Sequence, residues 1–269
     1  MAGAPATDAQ HATKPKGKRV RSSRSRWLVF QFAPVSLFAL KPSRATSTAG
    51  KTLLIPTPYA VKMGILDVSL RHALTDSPGD LVRTLSKADL RIGVPEHACV
   101  TGTIQRIRQQ TRDEDRKKDP DLPPYRANIA MRECLHHQGT LRVAFDERSC
   151  TSELVALLMA AAPAINYFGK RGGFFQYLGA SRQDSLDLTF TQPVSDPGHG
   201  EFRGHRAILD DFGPSATFAA LNSFSATKIE RGVDRVFVET LVPLAPFNSG
   251  PGFIHFRVSR ELQSRPAAP

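Results

Sequence analysis

Short apolar stretches alternate with polar segments along the chain, and their spacing predicts both strands and helices. The run WLVFQFA over 27–33 is rich in aromatic and branched side chains and predicts a buried strand. Residues 58–74 have helical spacing, with Thr57 suited to cap the first turn and Pro58 suited to its first position. Two neighbouring apolar stripes predict that most of this helix is buried.

Later segments predict shorter elements of both kinds. Helices are expected over 80–88 and over 151–162, where Thr151 or Ser152 can act as the cap and Pro163 ends the helix. The turn His137-Gln138-Gly139 is expected to join two of the strands in a hairpin. Strands are expected over 90–94, 98–107, 128–135, 140–145, 165–168, 186–190, 235–241 and 253–258, and a loop is expected over 193–214.

The order strand, helix, strands, hairpin, helix, strand predicts an α+β fold with an elaborated ferredoxin-like (RRM-like) βαββαβ sheet. A protruding loop and a β-rich C-terminal part are expected to be added to it. We divide the chain into a disordered basic tail (1–25), a ferredoxin-like domain (26–180) with a flexible insert (109–124), and a C-terminal β-rich extension (181–269) packed on the same domain.

Charge adds an expectation about partners. The 269 residues carry a net charge of +11, and residues 1–26 alone carry +6 of it, from seven Lys and Arg against Asp8. Such a balance favours an anionic partner, either nucleic acid or an acidic membrane surface. The chain has three cysteines without metal spacing and no apolar run of membrane-spanning length. Its basic N-terminus has no apolar stretch before a small-residue cleavage site, so no secretory signal is expected, and a cytoplasmic location is.

The most polar internal segment is 105–121, which mixes six basic residues with acidic ones. Its composition cannot form a core, so it predicts a protruding, mobile loop. Two interpretations are open, a solvated loop or a basic finger inserted into a nucleic-acid complex.

Two further places combine cations with features that suit phosphates. Lys51 and Lys62 flank the start of the 58–74 helix, where free N–H groups can bind an anion, unless the helix belongs to the core and its lysines are merely solvated. In the segment GKRGGF, Lys170 and Arg171 lie among glycines just before Phe174. Two interpretations are open, a site for a stacked, charged ligand or a simple glycine-rich turn.

The adjacent residues His136 and His137 suggest metal or acid–base chemistry. Neighbouring residues on a strand point to opposite faces, so they cannot jointly bind one ion. We therefore expect no metal and no cofactor.

Three segments together carry a resemblance to a known family. They are WLVFQFAP with Arg44 and IPTPYAVKMGILDV, then Arg132-Glu133-Cys134-Leu135 with GTLRVAF, then NYFGKR over 166–171. In this order they resemble the CRISPR-associated RAMP superfamily, and within it the Cascade subunit that caps the crRNA 5′ handle. Cys134 stands where the family usually has an aromatic residue, and Lys170 where Arg is commoner.

The resemblance implies a ferredoxin-like fold with a β-hairpin thumb, in or beside which 105–121 would lie. It implies binding to crRNA and packing against the backbone and large subunits of Cascade, with target DNA as a further candidate partner and no membrane. The expected RNA-binding residues are Arg44, Lys51, Tyr59, Lys62, Arg106, Arg108, Arg132, Lys170, Arg171 and Phe174.

Some members of this group also cleave precursor crRNA, which without a metal needs a base, an acid and a cation near a 2′-hydroxyl. The candidates in the matched segments are Tyr59, Lys62, His72, His136 and His137, and their spacing assembles no triad. The resemblance, together with the lack of a triad, implies a non-catalytic subunit that binds the crRNA 5′ handle, with a metal-independent endoribonuclease as the alternative.

Overall fold

The computed structural model describes residues 27–45, 50–170, 172–195 and 204–258. Its strands are β1 (Trp27–Pro34), β2 (Leu90–Gly93), β3 (His97–Gln110), β4 (Tyr125–Gln138), β5 (Leu141–Asp146), β6 (Phe175–Gln183), β7 (Gln192–Pro193), β8 (His205–Phe212), β9 (Arg235–Val242), β10 (Ala245–Gly250) and β11 (Phe253–Arg257). Its helices are α1 (Pro58–Arg71), α2 (Pro78–Lys87), α3 (Asp113–Lys118), α4 (Ser152–Ala161) and α5 (Phe218–Leu221).

The central sheet has the order β2-β5-β1-β6, and all of its neighbouring strands are antiparallel. With α1 between β1 and β2 and α4 between β5 and β6, this is the connectivity of a ferredoxin-like βαββαβ fold. The predicted α+β ferredoxin-like class is therefore confirmed.

β1 is apolar on both faces because both faces are covered. Leu28, Phe30 and Phe32 belong to the main core, which includes side chains of α1 and α4. Trp27 and Val29 point to the opposite face, where Phe190 and other side chains cover them. The continuous apolar run, without the alternation of a half-exposed strand, follows from this double burial.

The start of α1 agrees with the prediction. Thr57 is buried, and its Oγ1 accepts a hydrogen bond from the Ala60 amide at 3.1 Å, with Pro58 as the first helical residue. Both signals are local, so they can be recognised without knowledge of the rest of the fold.

The chain between β2 and β5 forms a long hairpin that protrudes from the fold. β3 and β4 pair from His97↔Gln138 to Gln110↔Tyr125, with α3 between them, and we call residues 97–138 the thumb. The expected strand 98–107 is confirmed as part of β3, and the loop expected over 105–121 is wrong for 105–110, which belong to the same strand. Cross-strand hydrogen bonds satisfy the backbone there, so the strands need no apolar composition to extend outward.

The predicted hairpin of 128–135 with 140–145 is also wrong. β4 pairs with β3, whereas β5 lies between β1 and β2 in the central sheet. The chain changes sheets at Gly139, whose φ of +98° suits glycine, and a Cβ there would lie 3.0 Å from the Glu96 amide nitrogen.

The C-terminal part contributes to two sheets. β7, β9 and β8 form a three-stranded sheet, and the hairpin β10–β11 extends the thumb sheet through β3. The predicted strands 235–241 and 253–258 are confirmed, but 165–168 and 186–190 are not strands, and the expected loop 193–214 contains β8. Leu186 and Phe190 pack in one cluster with Trp27 and Val29, so these apolar side chains cover the sheet rather than form a strand of it.

Candidate nucleic-acid interface

One face of the thumb carries exposed apolar side chains beside arginines. The register places Ile104 opposite Met131 and Arg106 opposite Ile129, and directly opposed residues project from the same face of a sheet. Arg108 and Tyr125 lie on this face too, because strand positions two apart share a side. The thumb face, as we call it, consists of Ile104, Arg106, Arg108, Tyr125, Ile129 and Met131.

These side chains lack the burial that apolar residues usually reach. Ile104 is 73% exposed, Ile129 70% and Met131 60%, and Arg106 and Arg108 are exposed beside them. A contiguous exposed apolar patch on a soluble protein marks an interaction surface. Arginines within that patch restrict the partner to one with negative charge as well as apolar surface.

Two neighbouring cavities extend from the thumb toward the C-terminal sheet. The first, about 440 Å³, is lined by Arg44, Lys51 and Glu133 together with apolar side chains of several strands. The second, about 410 Å³, is lined by Lys51, Arg132, Glu133 and the thumb residues Ile104 and Met131. Because Lys51 and Glu133 line both, the cavities form one groove that leads onto the thumb face.

Hydrogen bonds hold Lys51 in the wall of this groove. The Gly50 amide donates to the Met131 carbonyl at 3.0 Å, and the Glu133 amide donates to the Gly50 carbonyl at 2.8 Å. On the other side, the Thr52 amide donates to Glu133 Oε2 at 2.9 Å. Lys51 is therefore fixed at the root of β4 while its own side chain is exposed.

The expected role of Lys62 at the RNA surface is wrong. Its side chain is completely buried, and Nζ lies 2.8 Å from Oδ1 and 3.0 Å from Oδ2 of Asp211 on β8. Burial raises the pKa of Asp211 above its ordinary value, and the charge of Lys62 opposes that rise. Tyr59 and Lys62 of α1 contact Phe212 and Asp211 of β8, so neither interpretation of Lys62, as part of an anion site or as a solvated lysine, is correct.

Tyr59 is likewise engaged within the fold. Its ring packs edge-on against Phe212, and the guanidinium carbon of Arg235 lies 4.0 Å from the ring centroid. Arg235 in turn forms an ion pair with the buried carboxylate of Asp210. A ring already covered by a guanidinium is not free to stack on a base.

The glycine-rich segment lies elsewhere, near the end of β1. The Ser36 hydroxyl donates to the Gly172 carbonyl at 2.7 Å, and Ser36 Oγ also accepts a hydrogen bond from the Phe174 amide at 2.5 Å. Lys170 is exposed and Phe174 is 45% exposed, but neither lines the groove. Arg171, like the predicted tail 1–25, lies outside the described residues.

The two adjacent histidines occupy opposite faces of β4, as the strand geometry requires. His136 is exposed, whereas His137 is 3% exposed. His137 Nε2 donates to the Leu54 carbonyl at 2.8 Å, and its ring stacks on Phe38. In the described part of the chain, no group of three or more His, Cys, Asp and Glu residues could hold a metal ion.

Burial should make the fold sensitive to acid through His137. It lowers the pKa of His137 to about 4, so between pH 6.5 and 4 the unfolded chain takes up a proton that the folded chain does not. Stability therefore falls as pH falls through this window, by about 2 kcal/mol at pH 5 from this group alone. We expect urea unfolding at pH 7 and pH 5 to show a smaller acid loss for His137→Phe than for the unmodified protein.

The control for this effect is His136→Phe, which changes the exposed neighbour on the same strand. It should keep the full acid sensitivity. Equal pH dependence in His137→Phe and the unmodified protein would contradict the assignment.

The apolar part of the thumb face and the role of Glu133 could not be recognised from local composition. Strand spacing gave part of the signal, since Ile104, Arg106 and Arg108 recur two residues apart. The expected strand 98–107 included Ile104 and Arg106 but ended before Arg108.

No protein-family model matches the sequence, and no curated protein sequence is significantly similar. A CRISPR protein from Archaeoglobus fulgidus is similar in structure with a TM-score of 0.41 and 13% identity, over 87% of this chain and 92% of that one.

A chain of the Type III-B Cmr-beta complex bound to cognate target RNA gives a TM-score of 0.42 at 8% identity. That match covers 61% of this chain and 63% of the other. Both TM-scores are below 0.5. No helix among the described residues is long and apolar enough to cross a membrane.

Proposed function

We propose that this chain is an RNA-binding, non-catalytic subunit of a CRISPR effector complex, and that it holds the 5′ handle of the crRNA. The observation that carries the proposal is the thumb face, where exposed Ile104, Ile129 and Met131 alternate with Arg106 and Arg108. It is supported by the groove beside it, whose exposed cations are Arg44, Lys51 and Arg132.

Single-stranded RNA offers the two surfaces that this arrangement needs. Its bases can leave the stack and pack on apolar or aromatic side chains, while its phosphates pair with arginine and lysine. A neutral peptide would leave the arginines without partners, and a regular duplex would keep its bases away from the isoleucines. The thumb face therefore suits an extended or locally unstacked strand.

The finer assignment, to the cap of a type I Cascade, comes from the sequence segments that resemble that family. With this assignment, the proposed partners are the neighbouring backbone subunit, the large subunit and target DNA. The proposed location is the cytoplasm. Co-purification with the products of neighbouring genes, beside a CRISPR array, tests this level of the proposal.

The non-catalytic part is supported by where the candidate acid–base residues lie. Lys62 and Tyr59 are engaged in contacts with the C-terminal sheet, and His136 and His137 point to opposite faces of β4. Incubation with cognate repeat RNA in the presence of a chelator should leave the RNA intact. Cleavage that is lost in His136→Ala or His72→Ala would instead support the endoribonuclease alternative.

The phosphate contacts can be counted from the salt dependence. For single-stranded RNA, each neutralised phosphate contributes about 0.7 to the slope of log affinity against log salt. The pair Arg106→Ala with Arg108→Ala should therefore weaken binding to the handle RNA and reduce this slope by about 1.4. Fluorescence anisotropy over 50–300 mM salt, roughly the range in which phosphate contacts are resolved, measures both.

The matched control replaces two exposed arginines away from the thumb, Arg71 on α1 and Arg83 on α2. It removes the same net charge, so a general field effect would lower the slope equally in both variants. The proposal requires a larger change in the thumb variant.

A further inference from the structure

The first cavity of the groove has the composition of a pocket for one small amphipathic ligand. Its floor is apolar and draws on four strands and a loop, with Ile55, Val100, Leu209, Val242, Ile254 and Phe256. Its volume of about 440 Å³ lies within the range of about 300–1,000 Å³ typical of small-molecule sites. The polar side chains that line it include Arg44, Lys51, Glu133 and His205.

We propose that this cavity receives a single unstacked nucleotide whose base carries an exocyclic amino group. The inference rests on the proposed function, because it assigns one nucleotide of the bound RNA to a site of its own. The face of a base is apolar enough to pack on Ile254 and Phe256, whereas a phosphate would lose its hydration there without compensation.

The cations are placed for the phosphate of such a nucleotide. Arg44 and Lys51 are exposed, and the guanidinium carbon of Arg44 lies 5.0 Å from the centroid of the Phe237 ring. That contact holds the arginine near the cavity without using its hydrogen-bond donors. A phosphate at the mouth can then pair with charged groups while the base occupies the floor.

Glu133 gives the cavity a preference among bases. An ionised carboxylate is an acceptor only, and the Thr52 amide donates to Oε2, so Oε1 can accept a hydrogen bond from a donor on the ligand. The amino groups of cytosine, adenine and guanine supply one. Uracil has its N3–H between two carbonyl oxygens, and these would face the carboxylate with like partial charges.

The test uses the full chain and the 5′-monophosphates of cytidine, adenosine, guanosine and uridine, with dissociation constants from ligand-observed NMR or calorimetry. We expect UMP to bind at least about 5-fold more weakly than CMP, as the loss of one hydrogen bond to a charged group implies. Glu133→Gln should bring this ratio below about 2-fold, because the amide oxygen still accepts from Thr52 but the charge is gone.

Filling the cavity should remove binding of all four nucleotides. Ile254→Trp adds bulk at the floor, and Leu70→Trp is its matched control, since Leu70 is 40% and Ile254 43% exposed but Leu70 does not line the cavity. Ser43→Trp fills the same cavity from a surface loop, so it serves if Ile254→Trp does not fold. We expect at least a 10-fold loss with either filling variant and none with the control.

Parallel titrations with the handle RNA separate the two proposals. Equal binding of CMP and UMP, or unchanged nucleotide binding in the folded filling variants, overturns the nucleotide site even where the handle RNA still binds. Failure of the unmodified chain to bind handle RNA, together with selective and blockable binding of mononucleotides, overturns the proposed function and supports the cavity assignment.

Discussion

Replacing Lys62 with methionine is expected to lower the free energy of unfolding by about 3 kcal/mol. The substitution keeps most of the unbranched apolar stem but removes the only charge within hydrogen-bond distance of Asp211 among the described ion pairs. Asp211 then has a largely buried carboxylate without a counter-charge, which costs more than the pair contributes while it is intact. Urea unfolding at pH 7 measures the loss.

Two comparisons identify the cause. Lys51→Met removes an exposed lysine from the same region and should change stability by less than about 0.5 kcal/mol. The double variant Lys62→Met with Asp211→Leu removes both charges and should be more stable than Lys62→Met alone. Equal losses from the two lysine substitutions would mean that Lys62 has no special role.

The pH dependence of the Lys62→Met loss provides a third check. Without Lys62, the pKa of Asp211 rises further above its unfolded value, so the folded variant binds a proton more readily than the unfolded chain. The variant therefore regains stability relative to the unmodified protein as pH falls. The difference between the two should be smaller at pH 5 than at pH 8.

Local signals predicted much of the central fold. The cap at Thr57, the helix start at Pro58 and the buried strand 27–33 each depend on a few neighbouring residues, and each appears where the sequence places it. Lys62 shows the limit of such signals. It lies on a helix that the sequence marks as mostly buried, but its partner Asp211 is 149 residues away in a segment expected to be a loop.

Strand partners were predicted less well than strands. Residues 128–135 and 140–145 are both strands, and a short turn between two strands usually makes a hairpin. Here β3 pairs with β4 over its whole length, and β1 and β2 pair with β5 on both sides. Competition among distant strands decides the pairing, and a single sequence does not display it.

The residues of the candidate site were also predicted only in part. The sequence identified Arg44, Lys51, Arg106, Arg108 and Arg132 as candidates by charge and resemblance, and the fold places them along one groove and thumb. It could not show that Tyr59 and Lys62 contact the C-terminal sheet. Nor could it show that Glu133 lines both cavities of the groove. These relations depend on β8, β9 and the path of residues 50–52 beside β4.

At high salt, removing the apolar side chains of the thumb face should weaken RNA binding more than removing its arginines does. The triple variant Ile104→Thr, Ile129→Thr and Met131→Thr keeps every charge and keeps or raises strand propensity, because threonine is β-branched. If each side chain packs against a base, it contributes on the order of 1 kcal/mol, so three substitutions should cost roughly 100-fold in affinity. Anisotropy with handle RNA at two salt concentrations measures this loss.

The salt response separates this loss from an electrostatic one. The slope of log affinity against log salt should stay unchanged, because no phosphate contact is removed. Stability should also hold, since all three side chains are more than half exposed. The control replaces exposed apolar residues away from the thumb, Leu70 and Phe224, with threonine and should bind RNA normally. If the triple variant binds as tightly as this control, the isoleucines and Met131 do not contact RNA, and their exposure would instead fit a protein partner in the assembled complex.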